Sequence, residues 1–231
     1  MSASAPPAPT DIPTTATTLI ADGGGFVLAE HLPALIVLVP LFGSVITAAL
    51  RRSAPSYVVT LIVAWALPVL SLLTLQRVIA EGTLSYAMGG WAPPFGIELR
   101  VDEAGAFLAV LISIMAALVV SYAPRSLAAE IHPAQRGWYY TMLLLCMGGL
   151  LGMALSGDAF NIFVFMEISS LAMYTLIAMG RDRRALVAAF QYLVLGTLGA
   201  TFYVIGVGLL FTLTGTLNLA DIAAEIGPVA D

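Results

Sequence analysis

The sequence predicts an all-α integral membrane protein with six transmembrane helices and both termini outside. Three observations carry this. Of 231 residues, 60% are hydrophobic and only 10% are charged, whereas soluble domains carry about 25% charged residues. Six apolar runs have the length of a membrane-crossing helix, which needs about 20 residues to span roughly 30 Å of hydrocarbon. The basic residues, all of them arginine, fall unevenly between alternate loops.

The elements follow in order. Residues 1–31 begin Pro-, Ala- and Thr-rich and are expected to form a disordered external segment. They lack the basic region followed by an apolar stretch that marks a signal peptide. The first span is expected at 32–50 and the second at 57–76, with Pro68 as a kink. A long loop at 77–104 contains the turn-rich GGWAPPFG. The third span, 105–123, is expected to close at Pro124, because proline removes a helical donor and clashes with the preceding turn. The fourth, 138–156, is rich in glycine (Gly148, Gly149, Gly152). The fifth covers 160–179 and the sixth 186–211. Together, 32–211 form the transmembrane domain, and 212–231 form an external acidic tail.

Arginine placement gives orientation. Arg51 and Arg52, Arg125 and Arg136, and Arg181, Arg183 and Arg184 fall in alternate loops, while only Arg77 and Arg100 lie on the other side. Excess basic charge marks the cytoplasmic face, which puts both termini outside, as an even number of spans requires. The net charge of −5 comes mostly from the outer segments.

Several chemistries find no support. No basic patch suggests nucleic acid. Phosphate-binding, dinucleotide and nucleophile–base motifs are absent, so no cofactor is expected. His31 and His132 are far apart, and Cys146, the single cysteine, sits in an apolar span. No clustered ligand set for a metal is present.

Glu167 breaks the apolar pattern. It lies within FNIFVFMEISSLAMYTLIAM and is the one acid or base well inside any span. A charge at that depth costs about 3 kcal/mol on insertion scales, and such residues are functional candidates by default. Helical spacing places Ser170 at i+3 and Tyr174 at i+7, so a polar stripe runs along one face, with Asn161 on another sector. Apolar surroundings favour the neutral carboxyl over the charged form. A carboxyl that takes up and releases protons could relay them. The structural alternative is a permanently protonated Glu167, hydrogen-bonded to a neighbouring helix for roughly 0.6–2 kcal/mol. In the sixth span, Tyr192, Gly196, Gly199, Tyr203 and Gly206 recur every three or four residues, as a close-packing seam would require. Gln191 and Thr201 are supporting polar candidates for holding water or orienting a carboxyl.

The stretch SGDAFNIFVFMEISSLAMYTLIAMG, followed by AAFQYLVLGTLGATFYVIGVGLLFTLTGTLNLADIA, resembles the proton-conducting antiporter family. That family includes antiporter-like membrane subunits of respiratory complex I and of related hydrogenases. The nearest resemblance is to the D-type subunits of Mrp-type monovalent cation/proton antiporters. GGWAPPFGIELRVDEAGAF resembles the family's approach to its third helix.

The resemblance implies that Glu167 is the key acid of a proton path, paired in the family with a lysine on the seventh helix. It implies a component of a multisubunit cation/proton antiporter in the bacterial inner membrane. The partners would be other membrane subunits, protons, and sodium or potassium. A proton-pumping component of a complex I-like dehydrogenase or hydrogenase is one alternative, and a non-conducting scaffold or truncated remnant is another.

Family members run to about twice this length, with inverted repeats built around discontinuous helices. The six spans therefore correspond to the first six helices of a longer fold. The chain is expected to be an N-terminal fragment, a split-gene piece, or a component completed by another chain. It contains no lysine, so the partner of Glu167 would come from elsewhere.

Overall fold

The computed structural model describes residues 30–88 and 96–226. Six helices in it are long and apolar enough to cross a membrane: α1 (Leu32–Leu50), α2 (Ser53–Glu81), α3 (Glu103–Glu130), α4 (Arg136–Leu155), α5 (Ala159–Ala178) and α6 (Arg183–Thr214). A short helix, α7 (Leu219–Ile226), follows α6 within the segment read as an acidic tail. The expected disorder of 1–31 falls outside the described residues up to position 29, as does the tail beyond 226.

Aspartates start three of the spanning helices. Asp102 Oδ1 accepts from the Gly105 amide at 2.7 Å, Asp158 Oδ1 from the Asn161 amide at 2.7 Å, and Asp182 Oδ1 from the Arg184 amide at 2.9 Å. Each satisfies a donor in the first turn that has no partner within the helix.

Two sequence expectations need correction. The third helix does not stop at Pro124 but continues through it to Glu130. Proline forfeits one backbone bond, a loss tolerated in membrane helices where neighbouring groups re-satisfy the backbone. The helix-favouring SLAAE then carries α3 onward. Second, the 77–104 loop contains an antiparallel hairpin, β1 (Leu84–Ala87) and β2 (Glu98–Val101), with Leu84 opposite Val101 and Ala87 opposite Glu98. Most of GGWAPPFG, residues 89–95, lies outside the described residues.

α1 to α4 surround a core that includes Ile36, Leu67, Val120, Leu144 and Leu151. α4 is the central element, in contact with α1, α2, α3 and α5. Its glycines explain how two neighbours come so close. A methyl group added at Gly148 would lie 2.9 Å from the Leu41 side chain on α1. One at Gly149 would lie 2.7 Å from the Ser169 amide nitrogen and 2.8 Å from the Phe165 carbonyl on α5. Gly152 meets the Phe165 ring. Without a hydrophobic force between helices in lipid, close backbone approach is a main source of association. α5 in turn packs on α6, which sits at the rim and is the least buried span.

The loops gather at two ends. At one end, Gly157 N donates to Glu98 O at 3.0 Å, and Ala159 N to Leu217 O at 2.9 Å. At the other, Arg181 N donates to Glu130 O at 3.1 Å, and an added methyl at Gly137 would touch the Arg51 carbonyl at 2.9 Å. The three arginine-rich segments lie at this second end.

Candidate functional site

Glu167 is half-buried on α5, as is Ser170, while Tyr174 is buried. Phe163, Glu167, Ser170 and Tyr174 follow i, i+4, i+7, i+11 spacing and share one helical face. Both ends of that stripe touch α6. The Phe163 ring stacks on Tyr203 with centroids 6.3 Å apart and planes 9° from parallel. Tyr174 meets Tyr192 edge-on at 5.1 Å and 85°. The two helices are antiparallel, so Glu167, between these contacts, lies level with Gly199. The face of α5 that carries the acid is thus the face turned toward α6.

The residues opposite are small. Gly196 lies against the Tyr174 hydroxyl, whereas a methyl added at Gly199 or Gly206 would meet nothing within 4 Å. The tyrosines hold the two helices together and Gly196 admits the Tyr174 hydroxyl, whereas Gly199 is exposed. Tyr203 also donates from its hydroxyl to the Ala159 carbonyl at 3.1 Å, fixing the start of α5 to α6. Gln191 is exposed, and so is Thr201, whose hydroxyl donates to Thr197 O of its own helix at 2.8 Å. The structure therefore sets Glu167, Ser170, Tyr174 and Gly196 along one seam and leaves Gln191 and Thr201 outside it; Gly199 and Gly206, expected in a close-packing seam, have no neighbour within 4 Å of an added methyl.

Asn161 is buried, and its side-chain nitrogen donates to Ser156 Oγ at 2.9 Å, which ties the first turn of α5 to the loop before it. Ser169, on the opposite side of α5 from Glu167, faces Cys146 of α4, with Oγ and Sγ 3.6 Å apart. Among the described residues, no three His, Cys, Asp or Glu side chains gather closely enough to hold a metal ion.

Sequence reasoning missed a buried acid. Glu98, read only as one of several charges in the outer segments, is 5% exposed. Asn218 Nδ2 donates to its Oε2 at 2.6 Å, and the Ser85 hydroxyl donates to Oε1 at 2.5 Å. The carboxylate clasps the hairpin to the segment that follows α6. Strand alternation in IELRV places Glu98 and Arg100 on one face, but nothing local says that Glu98 turns inward.

A family model described as "NADH:quinone oxidoreductase/Mrp antiporter, TM" matches residues 156–228, from the start of α5 through α7. NADH-quinone oxidoreductase subunit N of Desulforudis audaxviator is 42% identical over 88% of this chain and 41% of its own length. The D subunit of the Na(+)/H(+) antiporter of Bacillus subtilis is 35% identical over 68% of this chain and 31% of its own length. The chain thus spans about two-fifths or less of these relatives. A chain of the archaeal membrane-bound sulfane sulfur reductase superposes with a TM-score of 0.78 at 29% identity, covering 86% of this chain and 41% of that one. A chain of the Mrp complex from Dietzia sp. DQ12-45-1b gives 0.75 at 26% identity, covering 87% and 40%. By family match, relatives and fold together, the chain is similar to the antiporter-like membrane subunits of NADH:quinone oxidoreductases and Mrp antiporters.

Proposed function

We propose that the chain forms part of a monovalent cation/proton antiporter of the bacterial inner membrane and that Glu167 carries a proton within it. The observation that carries this reading is the placement of one ionisable group inside a span, on the α5 face directed to α6 between two aromatic contacts. The helix face that carries the carboxyl is held in a defined position by the flanking aromatic contacts. The Bacillus subtilis relative, named as part of a Na(+)/H(+) antiporter, supports the same reading. The partners are other membrane subunits, and the basic group that draws the proton from Glu167 comes from outside these residues. The transported ions are protons and sodium or potassium.

The test is Glu167→Gln in the assembled complex, measured in vesicles by dye-monitored cation/proton exchange. Glutamine keeps the size and a hydrogen-bonding end but cannot exchange a proton. Exchange is lost while the subunits still copurify. Retained exchange would leave the scaffold role standing in its place.

A second reading has its own support. The 42% identical relative is named as part of NADH-quinone oxidoreductase, which favours a proton-translocating role in a redox-driven assembly. Native purification separates the two: flavin or iron–sulfur absorbance in the copurifying complex indicates the redox assembly, and its absence indicates the antiporter.

A further inference from the structure

At the arginine-rich end, the α3–α4 and α5–α6 connections meet. Ile131 and Gly180 form an isolated antiparallel bridge, and an Arg181 guanidinium nitrogen donates to Ile131 O at 3.2 Å. Between these connections lies a cleft of about 560 Å³, lined among others by His132, Gln135, Arg181, Arg183 and Leu186. Among the described residues that line it, Asp182 is the one acid, and its Oδ1 accepts from the Arg184 amide at the start of α6. The cleft is therefore cationic at its mouth.

The cleft leads toward apolar surface. Arg183, Leu186, Phe190 and Val194 recur at i, i+3, i+7 and i+11, so one stripe of α6 begins with a guanidinium and continues in hydrocarbon. Leu186 is 60% exposed and Phe190 65%. One turn beyond Leu186, a shallow groove of about 360 Å³ runs between Phe190, Gln191, Val194 and Leu195. Because α6 crosses the membrane, its polar end lies at the headgroup level and this groove lies among the acyl chains.

We propose that this cleft and groove form a binding site for an anionic phospholipid, with the phosphate between Arg181, Arg183 and His132 and an acyl chain along Phe190 and Val194. Charge complementarity selects the anionic headgroup, since basic pockets between membrane helices attract such lipids. A basic cleft followed, one helical turn along α6, by an apolar groove fits a lipid and not a phosphate from solution. Retention of the lipid is independent of which ion the assembly moves.

Native mass spectrometry of the purified protein with phosphatidylglycerol or phosphatidylcholine tests the site. Phosphatidylglycerol stays bound and phosphatidylcholine does not. Arg183→Gln weakens retention about fivefold, from the loss of one cation at the membrane surface. Arg181→Gln with Arg183→Gln weakens it further. The single variant keeps the Arg181–Ile131 bond, so it reports on binding even where the double variant is unstable. Equal retention by Arg183→Gln and the unaltered protein, or displacement of phosphatidylglycerol by glycerol phosphate at equal concentration, overturns the proposal. A photo-cross-linking residue at Val194 gives a lipid adduct in membranes, and an adduct to protein alone would overturn it as well.

Discussion

Two glutamates illustrate how differently an acid can be accommodated. Glu98 is buried at one end of the bundle and satisfied by two neutral donors, Ser85 and Asn218. Glu167 sits within a span, half-buried, on the α5 face turned toward α6. The first arrangement ties the hairpin to the segment after α6, and the second sets a carboxyl between two aromatic contacts to a neighbouring span. Asn218→Ala removes a donor from the buried Glu98, and an unsatisfied buried group costs about 1–3 kcal/mol. Hydrogen exchange reads the effect as lost protection in β1 and β2, with α4 and α5 unaffected.

At the scale of elements, α4 does most of the organising. Glycines bring α1 and α5 against different sides of it. Gly149→Leu forces α5 away, at a cost of about 1–3 kcal/mol, typical of overpacking. Thermal unfolding in detergent falls accordingly. Gly206→Ala, by contrast, adds a methyl to open space and leaves the melting temperature of the isolated protein unchanged. Pro124 marks a boundary of a different sort. The apolar character of α3 ends near it while the helix goes on, because helical continuity depends on backbone bonds and membrane depth on side chains. A reading that equates the end of the span with the end of the helix therefore stops too early. The hairpin was illegible for a related reason: its strands are four residues each, too short for alternation to stand out, and their pairing joins residues on either side of a turn-rich segment.

Over the whole molecule, the packing sorts loops into two ends. Arg51, Arg136 and Arg181 lie at one; the hairpin, Gly157 and Asn218 lie at the other. We expect the arginine end to face the cytoplasm. A membrane-impermeant maleimide applied to intact cells labels Ser85→Cys and spares Ser53→Cys, and the reverse pattern would invert the assigned orientation. The native Cys146 is buried between α4 and α5 and remains unlabelled in both. α6, at the rim, is the span least covered by this chain. Its exposed surface is where lipid or further protein meets the bundle.

The sequence by itself determined the six spans, the uneven arginines and the single acid within a span. All three follow from the bilayer, whose penalty for polar groups is registered residue by residue along the chain. It also carried the family resemblance, through the fifth and sixth spans. Only the tertiary structure decided that Glu98 is buried, because its partner Asn218 lies 120 residues away. The same is true of the α5 face. Spacing put Glu167, Ser170 and Tyr174 on one stripe, but the contacts of Phe163 and Tyr174 with α6 turned that stripe toward α6. In lipid, every face of an apolar helix is equally acceptable to the solvent, so small residues and aromatic contacts, not hydrophobicity, choose which face meets a neighbour.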